Sequence, residues 1–505
     1  MDRRTFVGTS TLLAAGTLLD SPGDEARTRA AGTTADAAAA GPAPPATPPM
    51  VGMQIGAVSF VDEGADAVLD RVQKDAAVNT LFLATFTYGR GIGGRQPRGS
   101  PLPDHGRQEY DDNFRGGNFA TPHAAYYRNT SIAPEKAPDH AGYDLVADVL
   151  PAARRRGMKV ICWYEDVFRR DVPGFDRAVE IDVHGRPTGQ ACLRNPNTRN
   201  FWLGITEDYL RSYDVDGLMW VSERQGPLDN ALGANHGGTN SAIGCFCPHC
   251  LEAARHEGID ADRARAGFLR LEQWAAALRA GQRPVDGAFV TFWRLLLKHP
   301  ELLAWERLWM DGLRDTYREL YRTAHSIAPA KGMGWHVWHN NSFSPFYRAE
   351  QDYAEFGEYS DFLKVVAYNN CGGPRMAQYI RNVTHTLFAD LSPQQALDFT
   401  YGVQQYAEAP LDRIAQAGLS ADYVLRETKR AVAGSPPHVK IWPGIDVDIP
   451  TGAGEKKTQP DDVFQSVTAA FKGGAHGVLL SRKYSEMSLA NLRAAGRAVR
   501  DWTGA

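Results

Sequence analysis

The chain has 505 residues, 43% of them hydrophobic and 23% charged, the proportions of an ordinary globular protein. A net charge of −4, with no basic run or stripe, excludes the electrostatic footprint that nucleic-acid binding requires. Beyond the N-terminus there is no run of ~18 apolar residues, which excludes a membrane span from the mature chain.

The N-terminus is organised differently. Asp2-Arg3-Arg4-Thr5-Phe6-Val7 leads into a mild apolar run ending at Leu19, the pattern of a secretory signal. The paired arginines resemble a twin-arginine signal, which exports proteins already folded. The stretch from Ala30 to Pro49 is rich in Ala and Pro and reads as a disordered spacer. Residues 1–49 are therefore signal and spacer, residues 50–505 a single folded domain, and the destination is secretion, the periplasm or the cell envelope.

From residue 50 onward short apolar runs alternate with helical patterns, which predicts a parallel sheet covered by helices. The expected strands are Val51 to Phe60, Val78 to Thr87, Lys159 to Tyr164, Gly217 to Val221, Lys331 to His339, Phe362 to Tyr368, His438 to Ile445 and Gly477 to Ser481. Helical periodicity covers Ala65 to Ala77, Tyr143 to Arg156, Asn200 to Tyr213, Leu411 to Val432 and Leu489 to Trp502. A polar loop rich in Gly and Tyr runs from Tyr88 to Ala141. A largely helical insertion, Cys250 to Ala328, separates strands four and five. Eight apolar strands with intervening helices predict an α/β fold, a (β/α)8 TIM barrel. The rival open sheet lacks a Gly-rich dinucleotide fingerprint after any strand.

In such a barrel the active site lies at the carboxyl ends of the strands. Here those ends carry Trp163, Glu165 and Asp166 on strand three, Trp220 and Glu223 on strand four, and Trp335, His336 and Trp338 on strand five. Tyr368 and Asn369 end strand six, Trp442, Asp446 and Asp448 strand seven, and Arg482 and Lys483 strand eight. Cleaving a glycosidic bond needs two carboxyl groups, one protonated and one ionised. Glu223 is expected to be one of them. Asp446 and Asp448, on the strand across the mouth, are the first candidates for the other, ahead of Glu165 and Asp166. The tryptophans offer flat faces to the C–H faces of sugars, although barrels also need bulky core residues. His336 and His339, three apart on a strand, face opposite sides, which argues against a histidine metal pair.

Of six cysteines, three crowd into Cys245-Phe246-Cys247-Pro248-His249-Cys250. Thiolate and imidazole ligation of a structural zinc by Cys245, Cys247, His249 and Cys250 is one reading. A disulfide and a reduced packed loop are the others. Each is a structural role, and no cofactor is required for the chemistry.

Asp214-Val215-Asp216-Gly217 leading to Glu223, followed by the cysteine cluster, resembles glycoside-hydrolase-like barrel proteins related to the β-galactosidase and α-fucosidase types. Gly334 to His339, Asp361 to Lys364 and Leu480 to Met487 look like the same group, and the likeness runs from Gly52 to Trp502. It implies a barrel and a hydrolase class, not a substrate. Two departures stand out. The β-galactosidase type has Asn-Glu where this chain has Ser222-Glu223, and a strand-seven glutamate where it has Asp446 and Asp448. The expected function is an exported glycoside hydrolase acting on carbohydrate. A catalytically silent carbohydrate-binding barrel and a metal-dependent hydrolase are the alternatives, and oligomerisation is left open.

Overall fold

The computed structural model describes residues 48–238 and 242–504. The expected signal and all but the end of the expected spacer lie outside the described residues. Eight strands form one parallel sheet: β1 (Met50–Ile55), β2 (Thr80–Thr87), β3 (Lys159–Glu165), β4 (Gly217–Val221), β5 (Gly332–Val337), β6 (Phe362–Val365), β7 (Lys440–Ile441 and Gly444–Asp446) and β8 (Gly477–Ser481). Neighbours in sequence are neighbours in the sheet, and β1 pairs with β8. β7 closes the ring in two pieces, the first bonded to β6 and the second to β8. The break falls at Trp442-Pro443, where proline has no N–H to give to a ladder. The fold is a closed (β/α)8 barrel.

The covering helices are α1 (Ala65–Ala76), α2 (Leu145–Arg155), α3 (Pro196–Ser212), α4 (Glu301–Ile327), α5 (Gly372–Val383), α6 (Ala421–Gly434), α7 (Pro460–Lys472) and α8 (Leu489–Thr503). Their starts are locally encoded. The Asp144 carboxylate accepts from the N–H groups of Val146 and Ala147, and Asn195 caps α3 ahead of Pro196 at the first helical position. The insertion between β4 and β5 is helical, with Pro227–Leu232, Pro248–His256, Ala261–Arg279 and Ala288–Lys298 preceding α4.

Several boundaries differ from expectation. β1 stops at Ile55, because Gly56 begins a short helix, Ala57–Glu63. The helical stretch expected from Leu411 to Val432 is two helices, broken at Gly418. That residue holds φ +75°, a conformation that disfavours side chains, and a Cβ there would press on Lys456 and the Asn370 backbone. A β-hairpin, Val179–Ile181 with Pro187–Ala191, stands beside the barrel mouth without having been anticipated.

Strand alternation sorts the side chains into two layers. Phe82, Ala84, Ile161, Trp163, Met219, Val221, Phe362 and Leu479 form a plug inside the barrel. Residues of opposite parity, among them Tyr164, Trp220 and Trp335, pack outward into the main core under the helices. The inner stripe is apolar at its base and carries Glu165, Glu223, His336 and Lys364 toward its top.

Candidate active site

A cavity of about 230 Å³ opens above the plug, lined by Gly89, Gly91, Ile92, Trp163, Glu165, Val167, Val221, Glu223, His236, His336, Trp338, Lys364, Tyr368, Arg375 and Arg482. Its two carboxylates are Glu165 and Glu223. The position of each follows from strand register. Glu165 lies opposite Val221 in the β3–β4 ladder, and Glu223 stands two residues further along, on the same inward parity.

The two carboxylates differ in protonation. His336 Nε2 lies 2.8 Å from Glu223 Oε1 and donates to it. The Glu223 side chain is 50% exposed, into the cavity and an adjoining cleft, and the surrounding protein still opposes its charge. The His336 hydrogen bond and charge, with Arg375 and Lys364, outweigh that and hold the Glu223 carboxyl at about 2. Burial and the Lys364 charge hold His336 itself at about 4. At neutral pH the imidazole is therefore neutral, and it supports Glu223 by donating a hydrogen bond rather than by its charge.

Burial pushes Glu165 the other way. The Thr87 hydroxyl donates to Glu165 Oε2 at 2.7 Å and opposes the rise, the negative charge of Glu223 adds to it, and the carboxyl sits at about 7. Two carboxyls in one cavity, pushed apart by their surroundings, supply a proton donor and an anion at the same pH. Lys364 completes the floor. Its ammonium donates to the Tyr368 hydroxyl at 2.7 Å and lies 3.3 Å from Gln54 Oε1, with its nitrogen 5.3 Å from the Trp163 ring centre. Burial pulls it down to about 7. A Cβ at Gly444 would come within 2.9 Å of Lys364 and 3.0 Å of Tyr368, so a bare backbone there makes room for both.

The structure brings Trp163, Glu165, Glu223, His336, Trp338, Tyr368 and Arg482 together at this cavity, as the strand ends suggested. Other expected residues lie elsewhere. Asp446 is fully buried and accepts from the N–H groups of Cys371 and Ile449, so it anchors the start of α5 and does not line the cavity. Asp448 has φ +66°, which ends the strand alternation, and its carboxylate accepts from Ser488 N and Asn491 Nδ2. The carboxylate that shares the cavity with Glu223 is Glu165, from β3. Trp220 and Trp335 face outward and pack on Tyr317, with Trp335 Nε1 donating to the Tyr359 carbonyl at 2.8 Å. Asn369 lines a separate surface hollow by α6. Lys483 is buried and donates to the Gly94 carbonyl at 2.7 Å, tying down the loop after β2. His339 bridges Tyr423 and Arg375, away from the cavity, and no histidine pair forms with His336.

Lys364, Arg375 and His236 escaped the sequence reading. Lys364 had a signal, a lysine inside the apolar run Phe362-Leu363-Lys364-Val365-Val366. Arg375 and His236 come from loops or helices beyond the strand ends and had none.

Beside the cavity an open polar cleft of about 560 Å³ shares Glu223 and Trp338 with it, and is walled by Glu180, Arg224, Gln225 and Trp309. Asp166, expected in the site, belongs beneath this wall. Its Oδ2 accepts from Arg224 Nη1 and from Ser222 Oγ, each at 3.1 Å, while Arg224 also pairs with Glu180. Arg224 therefore neutralises two buried carboxylates next to Glu223. Replacing it (Arg224→Met) strands both and is expected to cost ~3–5 kcal/mol of stability, read from urea unfolding. A loss under ~1 kcal/mol would show that the network bears no such strain.

The cysteine cluster also differs in membership. The sulfurs of Cys192, Cys245, Cys247 and Cys250 lie within 4.8 Å of one another, all buried. His249 is exposed on the outer side of its helix, and Cys192, from the end of the hairpin, takes the place expected for it. Separations of 3.7 Å (Cys192 to Cys250) and 3.4 Å (Cys192 to Cys247) approach the ~3.8 Å sulfur spacing of a tetrahedral zinc with ~2.3 Å bonds. The donor set fits zinc.

No family model matches the chain, and no curated protein matches it. Solved structures do resemble it. A β-galactosidase from the Antarctic haloarchaeon Halorubrum lacusprofundi superposes with a TM-score of 0.50 at 14% identity, over 90% of this chain and 58% of that one. A β-galactosidase from the psychrophilic Marinomonas ef1 gives 0.50 at 10% identity, over 90% and 59%. The chain thus spans less than two thirds of the length of either enzyme. What it shares with them is the fold, a (β/α)8 barrel.

Proposed function

We propose that this chain is an exported glycoside hydrolase in which Glu165 protonates the leaving oxygen and Glu223, ionised, acts as nucleophile or base. The observation that carries this reading is the pair of carboxyls in one cavity at the strand ends, one held protonated near neutrality and the other ionised. Trp163 and Trp338 supply apolar faces for a sugar ring, and the outer cleft leaves space for the leaving group. The chemistry needs water and no cofactor. A screen of the purified protein against chromogenic glycosides and cell-wall polysaccharides tests the proposal. Product release that Glu223→Gln abolishes supports it, and binding without any turnover would sink it.

Zinc on Cys192, Cys245, Cys247 and Cys250 is proposed as a structural support, since four thiolates close the coordination sphere and leave no open position for catalysis. It would tie the hairpin to the insertion next to the Ala191 carbonyl, which accepts from Arg224 at 2.8 Å. Metal analysis is expected to find about one zinc per chain. Cys247→Ser is expected to lose the metal and melt at a lower temperature. A metal-free protein of unchanged melting temperature would refute the site. Export through the Arg3-Arg4 signal would be checked by replacing both arginines with lysine and following the protein between cytoplasm and medium or envelope.

A further inference from the structure

Two cations at the cavity have no carboxylate partner. Arg482 is neutralised by buried Glu486. Lys364 and Arg375, by contrast, form no ion pair within 4.0 Å among the described residues. Arg375 is held by His339, whose Nδ1 lies 2.9 Å from Arg375 Nη1, and the guanidinium packs against the Tyr368 ring at 6.0 Å. Lys364 is fully buried at the cavity floor and bonds only to neutral oxygens. The carboxylates whose charge reaches them stand beyond contact distance: Glu223 acts on both, Glu165 on Lys364 and Asp446 on Arg375.

This arrangement works against a neutral sugar. Glycoside cleavage develops positive charge at the anomeric carbon, and cations without a contact partner in a cavity of low dielectric raise the energy of that state. Keeping charges unpaired away from bulk water is itself costly. Both costs disappear when the ligand brings a negative charge of its own, and an arginine is well suited to grip a carboxylate or sulfate. We propose that the cavity accepts an anionic sugar unit, a hexuronate or a sulfated hexose, with Arg375 and Lys364 receiving its charged group. The transition-state part of the argument rests on the glycoside-cleaving reading, whereas the recognition of the anion can be measured without it.

The test is calorimetric binding of free sugars to the full-length mature protein: glucuronic and galacturonic acids and the 6-sulfates of glucose and galactose, against glucose and galactose. At least one anionic member is expected to bind ~10–100-fold tighter than its neutral counterpart. Whether that member is a uronate or a sulfate identifies the source of the charge. Arg375→Gln and Lys364→Met, each checked by its melting curve, are expected to narrow the ratio toward one. Equal binding of charged and neutral sugars, or no binding of any, overturns the proposal, and the wild-type ratio alone suffices should a variant misfold. Turnover is measured separately on chromogenic hexosides and hexuronides. Cleavage of neutral hexosides with no preference for the anionic forms would leave the hydrolase standing and remove the anionic substrate. Preferential binding of anions without cleavage of any glycoside would do the reverse.

Discussion

Glu223→Gln is expected to lower kcat by ~10³-fold or more on every glycoside that the protein cleaves, whatever the leaving group. The variant keeps the shape of the side chain and can still accept from His336 Nε2, which lies 2.8 Å from the native carboxylate. What it loses is the negative charge that the proposed reaction sets against the anomeric carbon. That charge is available across the whole physiological range, because the group is held at about 2. Steady-state kinetics on an activated aryl glycoside measures the effect. Retention of more than about a tenth of the activity would remove Glu223 from the chemistry, since one pK-sized interaction is worth ~1.4 kcal/mol.

Glu165→Gln is expected to behave differently, because a proton donor matters in proportion to how badly the leaving group needs one. General-acid catalysis contributes ~10²–10⁴-fold, so natural linkages and alkyl glycosides should suffer a loss of that size. A dinitrophenyl glycoside, whose leaving group departs as an anion, should be nearly spared at the bond-breaking step. The pH profile carries the same information. The Glu165 proton is present below about 7 and lost above it, so wild-type activity should fall along an alkaline limb near that value. The limb should vanish in the variant on the activated substrate. A uniform loss across leaving groups, with the limb unchanged, would assign the proton donor elsewhere.

A stability consequence follows with a definite sign. Glu165 ionises near 4.5 when free and near 7 in the folded protein, so between those values the folded state binds more protons and stability falls as pH rises. Glu165→Gln removes this penalty. Its melting temperature relative to the wild type should therefore improve as the pH is raised from 5 to 8.

Much of this was legible in the chain, and the legible part is local. Largely apolar runs of five to ten residues marked the barrel strands, because a strand buried on both faces is mostly apolar. The chemistry of barrels placed function at their carboxyl ends, and that rule picked out Glu165, Glu223, His336 and Arg482. Strand parity also sorts the tryptophans. Val221 and Glu223 share one face and Trp220 the other, so the outward packing of Trp220, and of Trp335 beside inward His336, was implicit in the alternation.

Tertiary structure decided the rest. Alternation could not identify the partner of Glu223, because it does not say which backbone groups claim a carboxylate or where a strand ends. Asp446 is taken up by the N–H groups of Cys371 and Ile449 and Asp448 turns to positive φ, so neither lines the cavity that Glu165 shares with Glu223. Nor could spacing reveal that Cys192, distant in sequence, displaces His249 from the thiol cluster, because loop closure over such a span leaves no local pattern. The sequence by itself determined the strands, their order and the polar rim, since these depend on side chains and their near neighbours. Which rim groups meet, which are neutralised by others and which keep an unpaired charge depended on the closed barrel, because charges and hydrogen-bond partners act through space and not along the chain.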